Sequence, residues 1–67
     1  MILVDTKRLE VSKGDRIILN ESIYSKKSGI VTEIKFIGIP TILIDLGEGD
    51  YAWIGTKNIK KIFKKLD

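Results

Sequence analysis

Apolar residues recur along the chain in short runs separated by glycine- and acid-rich breaks. Thr41–Leu46 reads TILIDL, and strict alternation puts Ile42, Ile44 and Leu46 on one face, with Thr41, Leu43 and Asp45 on the other. Tyr51–Ile54 repeats the pattern with Ala52 and Ile54 inward and Tyr51 and Trp53 outward. Gly29–Ile37, GIVTEIKFI, places Ile30, Thr32, Ile34 and Phe36 on one face and Glu33 and Lys35 on the other, with Phe36 read as core. Arg16–Asn20, RIILN, is a further strand. Turns are expected at Ser12–Asp15, Lys26–Gly29, Gly38–Pro40 and, most strongly, Gly47–Asp50.

The two ends are less regular. Ile2–Val4 fits an edge strand, and Thr6–Glu10 fits a turn of helix capped by Asp5. At the other end Ile59, Ile62, Phe63 and Leu66 recur at helical spacing, with lysines between them. A competing reading is a 3₁₀ turn over Thr56–Ile59 followed by a short strand through Lys61–Lys64, because such a turn also brings positions i and i+3 together, so that Ile59 and Ile62 both point inward. The expected architecture takes the second option. It is one all-β domain of about five short antiparallel strands closed into a small barrel over residues 13–63. Residues 1–12 form an extension and 64–67 a tail.

Composition supports sheet: of 67 residues, 13 are isoleucine, and the β-branched excess favours strands. There is no cysteine and no histidine, so disulfides, thiolate metal sites and the commonest general base are excluded. No apolar run approaches the length of a membrane span, and the opening MILVD lacks a basic leader, so a cytoplasmic location is expected. Asp45, Glu48 and Asp50 cluster, but turn chemistry explains acids there, so no metal and no cofactor is expected. No catalytic constellation stands out, and the expectation is a protein that is not an enzyme.

The net charge of +3 makes this a small basic protein, and the charge is concentrated in the last eleven residues: Lys57, Lys60, Lys61, Lys64 and Lys65 stand against Asp67 alone. Tyr51 and Trp53 precede that segment. Outward aromatic rings beside lysines suit nucleic acid, since rings stack on bases while ammonium groups neutralise phosphates. The candidate site is therefore Tyr51, Trp53, Lys57, Lys60, Lys61 and Lys64. The same pairing suits a protein interface anchored by Trp and Tyr. The alternative is thus a protein-interaction module, either a regulatory subunit or a mobile-element protein docking on a host protein.

The motifs GDRIIL, SGIVTEI, TILIDLGEGDYAWI and KNIKKI, taken in order, resemble the SH3-like small barrels, the group that includes KOW and Tudor domains. That resemblance implies a hairpin around the Gly-rich acidic turn and a 3₁₀ turn delivering the last strand. That resemblance and the lysine segment carry the first functional choice, a small binding module that binds nucleic acid or forms part of a nucleic-acid-handling complex. Tudor-type ligand cages need several aromatics, and this chain has five in all: Tyr24, Phe36, Tyr51, Trp53 and Phe63. The plasmid-type dihydrofolate reductases are similar barrels, but where they have Val-Gln-Ile-Tyr this chain has Tyr51-Ala52-Trp53-Ile54.

Overall fold

The computed structural model describes residues 2–4 and 9–66. The fold is all-β. Its strands are β1 (Ile2–Val4), β2 (Leu9–Val11), β3 (Arg16–Ile23), β4 (Lys26–Ile37), β5 (Ile39–Gly47), β6 (Asp50–Gly55) and β7 (Ile59–Phe63). A 3₁₀ turn, Thr56–Asn58, joins β6 to β7. The expected turn and terminal strand are therefore present and the helical alternative is not, but the turn ends at Asn58 and the strand runs Ile59–Phe63, in place of Lys61–Lys64.

β1 and β2 form a two-stranded sheet, while the other five strands form one antiparallel sheet in the order β6-β5-β4-β3-β7. The sheet is open, with β6 and β7 at its two edges, so the expectation of a closed barrel is corrected. Leu9 and Glu10 lie in a strand, against the expected helical turn; the remainder of that turn, and the Asp5 cap, lie outside the described residues.

Among the described residues the core is nine buried aliphatic side chains. Ile17, Leu19, Val31, Ile42, Ile44, Leu46, Ile54 and Ile59 come from the inner face of the large sheet. Val11 comes from β2 and joins that core. The alternation expected in β5 and β6 is observed: Ile42, Ile44, Leu46 and Ile54 are buried and Ala52 packs against them.

The alternation expected in β4 fails at a β-bulge. Val31 pairs with Ile44 and Glu33 with Leu43, leaving Thr32 as the extra residue. Val31 and Ile34 therefore both face the core at a spacing of three, and Thr32 is exposed. Phe36 keeps the inward parity of Ile34 but pairs with Pro40, beyond the end of the core, and is 68% exposed. Its reading as core is corrected. A second bulge accounts for Ile59 and Ile62. Leu19 pairs with Ile59 and Ile18 with Lys61, so Lys60 is the extra residue.

Two turns also differ from expectation. Lys26–Gly29 lies inside β4; the β3–β4 hairpin turns at Tyr24 and Ser25, both in the left-handed region (φ 49° and 66°). That is the type I′ geometry that matches strand twist, formed here without glycine. The β4–β5 hairpin turns on Gly38 alone (φ 75°), and Pro40 sits within β5. β3 bulges away from β4 between Ile18 and Ile23, and this excursion is tied to the 3₁₀ turn. Asn20 Nδ2 donates to the Lys57 carbonyl at 2.9 Å, and Asn58 Oδ1 accepts the Glu21 N–H at 2.8 Å.

Candidate nucleic-acid interface

Directly paired residues of antiparallel strands project on the same face, so the register sorts the side chains. Tyr51 pairs with Asp45, Asp45 with Ile30, Ile30 with Arg16, and Arg16 with Phe63. One outward row thus crosses all five strands, with an aromatic residue at each end. A second row runs Trp53, Leu43, Glu33. Three aromatic rings share this outer face, and all are open to solvent: Tyr51 53%, Trp53 46% and Phe63 47%. About half of each residue's surface stays exposed beside the described segments of the chain.

Two of these rings carry lysine ammonium groups. Lys35 Nζ lies 5.3 Å from the Trp53 ring centroid and Lys61 Nζ lies 5.0 Å from that of Phe63. Both are within cation–π range, and at exposed sites such contacts are worth about 0.5–1 kcal/mol. Arg16 stands on the same face, with Nη1 3.5 Å from Ser28 Oγ. Glu33 and Asp45 also lie on this face, and Glu33 Oε1 is 4.0 Å from Lys35 Nζ. The face is aromatic and mixed in charge.

The structure brings together only part of the site expected from sequence. Tyr51 and Trp53 are neighbours on β6. Lys60 and Lys61 are on β7, at the opposite edge of the sheet, with three strands between. Lys57 sits in the 3₁₀ turn that links the two edges. Proximity in sequence arises because β6 leads into β7 through three residues, and the outer face separates what that connection joins. The lysine over Trp53 is Lys35, two strands away.

Lys64 has a different task. Asp15 is 1% exposed and sits under the turn before β3. Lys64 Nζ reaches its Oδ2 at 2.6 Å, and Lys64 also donates to the Glu10 carbonyl at 3.2 Å. The Lys65 N–H donates to Asp15 Oδ1 at 2.9 Å and the Ser12 N–H to Oδ2 at 2.9 Å. Burial pushes the Asp15 carboxyl up, but the hydrogen bond from Lys64, those from the Lys65 and Ser12 amides, and the Lys64 charge outweigh it. The result is a pKa below the ordinary aspartate value. This cluster pins the residues after β7 to the turn before β3.

The acidic β5–β6 turn has its own cation. Lys26 Nζ donates to the Gly47 carbonyl at 2.9 Å and to Asp50 Oδ2 at 3.2 Å, with Glu48 Oε2 at 3.9 Å. Among the described residues, no group of three or more metal-ligating side chains converges, no helix is long and apolar enough to cross a membrane, and the surface has no pocket.

The expected site omitted Phe63, Arg16 and Lys35. Arg16 and Lys35 were readable as outward by alternation with Ile17 and Ile34. Phe63 was readable as outward by alternation with Ile62, though the parity comes from the bulge at Lys60 and not from the 3₁₀ turn. No protein-family model, curated protein or solved structure matches the chain.

Proposed function

We propose that the chain is a non-enzymatic, cytoplasmic binding module that takes single-stranded nucleic acid on the outer face of its sheet. The observation that carries this is the set of three solvent-open rings on one face, two of them with a lysine ammonium on the ring. Such a face supplies the two elements of sequence-tolerant recognition, ring planes for bases and cations for phosphates. Arg16, Lys60 and Lys61 extend the cationic part along the β3–β7 side. The strand order and the 3₁₀ turn before the last strand support grouping the chain with the SH3-like folds.

Titration of a fluorescent single-stranded oligonucleotide tests the reading. Saturable binding that weakens steeply with salt is expected. Trp53→Ala and Phe63→Ala should each weaken it by roughly 1–3 kcal/mol, the range for loss of a stacked base. Absence of binding at low salt overturns it.

A second reading rests on Glu33 and Asp45, which interrupt the cations on this face. Those carboxylates suit a protein partner that presents basic residues around an aromatic anchor. Under that reading Trp53→Ala abolishes capture of the partner, and oligonucleotides do not compete.

A further inference from the structure

The sheet is open, and its two edges are built differently. β7 is five residues long, carries Lys60 and Lys61, and is broken by the bulge at Lys60. Charged residues and bulges are the devices by which edge strands avoid pairing with other chains. β6 has none of them along Tyr51–Gly55. It contains no lysine and no proline, and its one charge, Asp50, lies at its first residue. A strand of this composition with one free edge is a template for a further strand.

We propose that β6 pairs antiparallel with β6 of a second copy of this chain, about a two-fold axis at Ala52. The proposal stands without the nucleic-acid reading. A two-fold axis perpendicular to the sheet keeps outer faces together, so paired residues must have the same parity. The axis must therefore fall on a residue. Centred on Ala52, the register sets Tyr51 opposite the second copy's Trp53, and Trp53 opposite its Tyr51, on the outer face. Two aromatic cross-strand pairs form, a favourable combination in antiparallel sheets. Asp50 falls opposite Ile54, so no like charges meet. The small Ala52 side chain meets its own copy at the axis.

The other edge combinations are weaker. Two β7 edges would bring Lys60 and Lys61 of both copies together. A β6 edge on a β7 edge leaves one of each unpaired, which grows an open chain of copies rather than a closed pair. The small core adds a motive for association: a chain of 67 residues buries only about 60% of its unfolded surface. An edge contact of six residues per chain is at the small end of specific interfaces, so the dimer should form in the micromolar range and not be obligate.

Two measurements test this with the intact chain and no nucleic acid. In sedimentation velocity the protein should pass from one chain to two as concentration rises, and stay paired in high salt because the contact contains no ion pair. Replacing Tyr51 and Trp53 together by Lys should raise the dissociation constant on the order of tenfold or more. The second measurement uses the absence of cysteine. The Cα atoms of an antiparallel pair lie about 4.5–5.5 Å apart, within disulfide reach. Ala52→Cys should therefore crosslink to its own copy under mild oxidation, while Lys60→Cys on β7 should not at the same concentration. A chain that stays single at millimolar concentration overturns the proposal. So does a dimer in which Lys60→Cys crosslinks as fast as Ala52→Cys. Loss of oligonucleotide binding with the dimer intact bears only on the function proposed above.

Discussion

Asp15 is the residue on which the two ends of the described chain meet. Its carboxylate collects Lys64 Nζ, the Lys65 N–H and the Ser12 N–H, and no buried side-chain polar atom among the described residues lacks a partner. A buried carboxylate with three donors stabilises only while it is ionised. Asp15→Asn is expected to cost about 1–3 kcal/mol in urea unfolding, because the amide leaves at least one donor unmatched. Lys64 is half exposed, so its Coulombic share is small and the hydrogen bonds dominate. The pH dependence follows from the depressed pKa. The unfolded chain takes up the proton first as pH falls. The contribution is complete above the ordinary aspartate value and is lost as pH falls through the lower folded value. The urea midpoint of the native chain should drop through this acid range, and that of Asp15→Asn should drop less. Equal slopes for the two would remove Asp15 from the account.

At the scale of elements, the two bulges separate what alternation can read from what it cannot. Ile42, Ile44 and Ile54 were legible because β5 and β6 are regular over those positions, while Leu46 stays buried where the register shifts between Asp45 and Gly47. Val31 and the exposure of Thr32 were not, since a bulge inserts a residue without any fixed composition. Tyr24–Ser25 was illegible as a turn because type I′ geometry is ordinarily announced by glycine or asparagine. The topology leaves a testable trace. Removing the bulge residue Thr32 leaves Val31 and Ile34 inward on a regular ladder. Removing Leu43 from regular β5 sends Ile42 or Ile44 to the outer face. The Thr32 deletion should keep cooperative unfolding at a cost of about 1–3 kcal/mol. Deletion of Leu43 should abolish cooperative unfolding, read by urea titration of tryptophan fluorescence. The opposite ranking would contradict the register.

Over the whole molecule, charge is sorted by edge. The acids of the β5–β6 turn lie at one side and are partly matched by Lys26. Lys60 and Lys61 lie exposed on β7 at the other, and Lys57 lies exposed on the 3₁₀ turn that joins β6 to β7. The concentration of lysines was legible in the sequence; its division into two classes was not, because nothing local distinguishes Lys64 from Lys61. Only the fold brings Asp15 under one and Phe63 under the other. The two classes should respond in opposite ways. Replacing Lys57 and Lys60 by Gln removes exposed cations that hold no buried partner, so stability should change by less than about 0.5 kcal/mol per site, while Lys61→Gln also loses the contact with Phe63 and should cost about 0.5–1 kcal/mol. If each contacts a phosphate, the slope of log affinity against log salt should fall by roughly 0.7 per lysine removed. Lys64→Gln should instead lower stability, by about 1–2 kcal/mol through the Asp15 bond, and leave the salt slope unchanged. Oligonucleotide titrations at several salt concentrations, paired with urea unfolding of the same variants, read both quantities. A salt slope that depends on Lys64 and ignores the other three would place the nucleic acid against the Asp15 turn and away from the outer face.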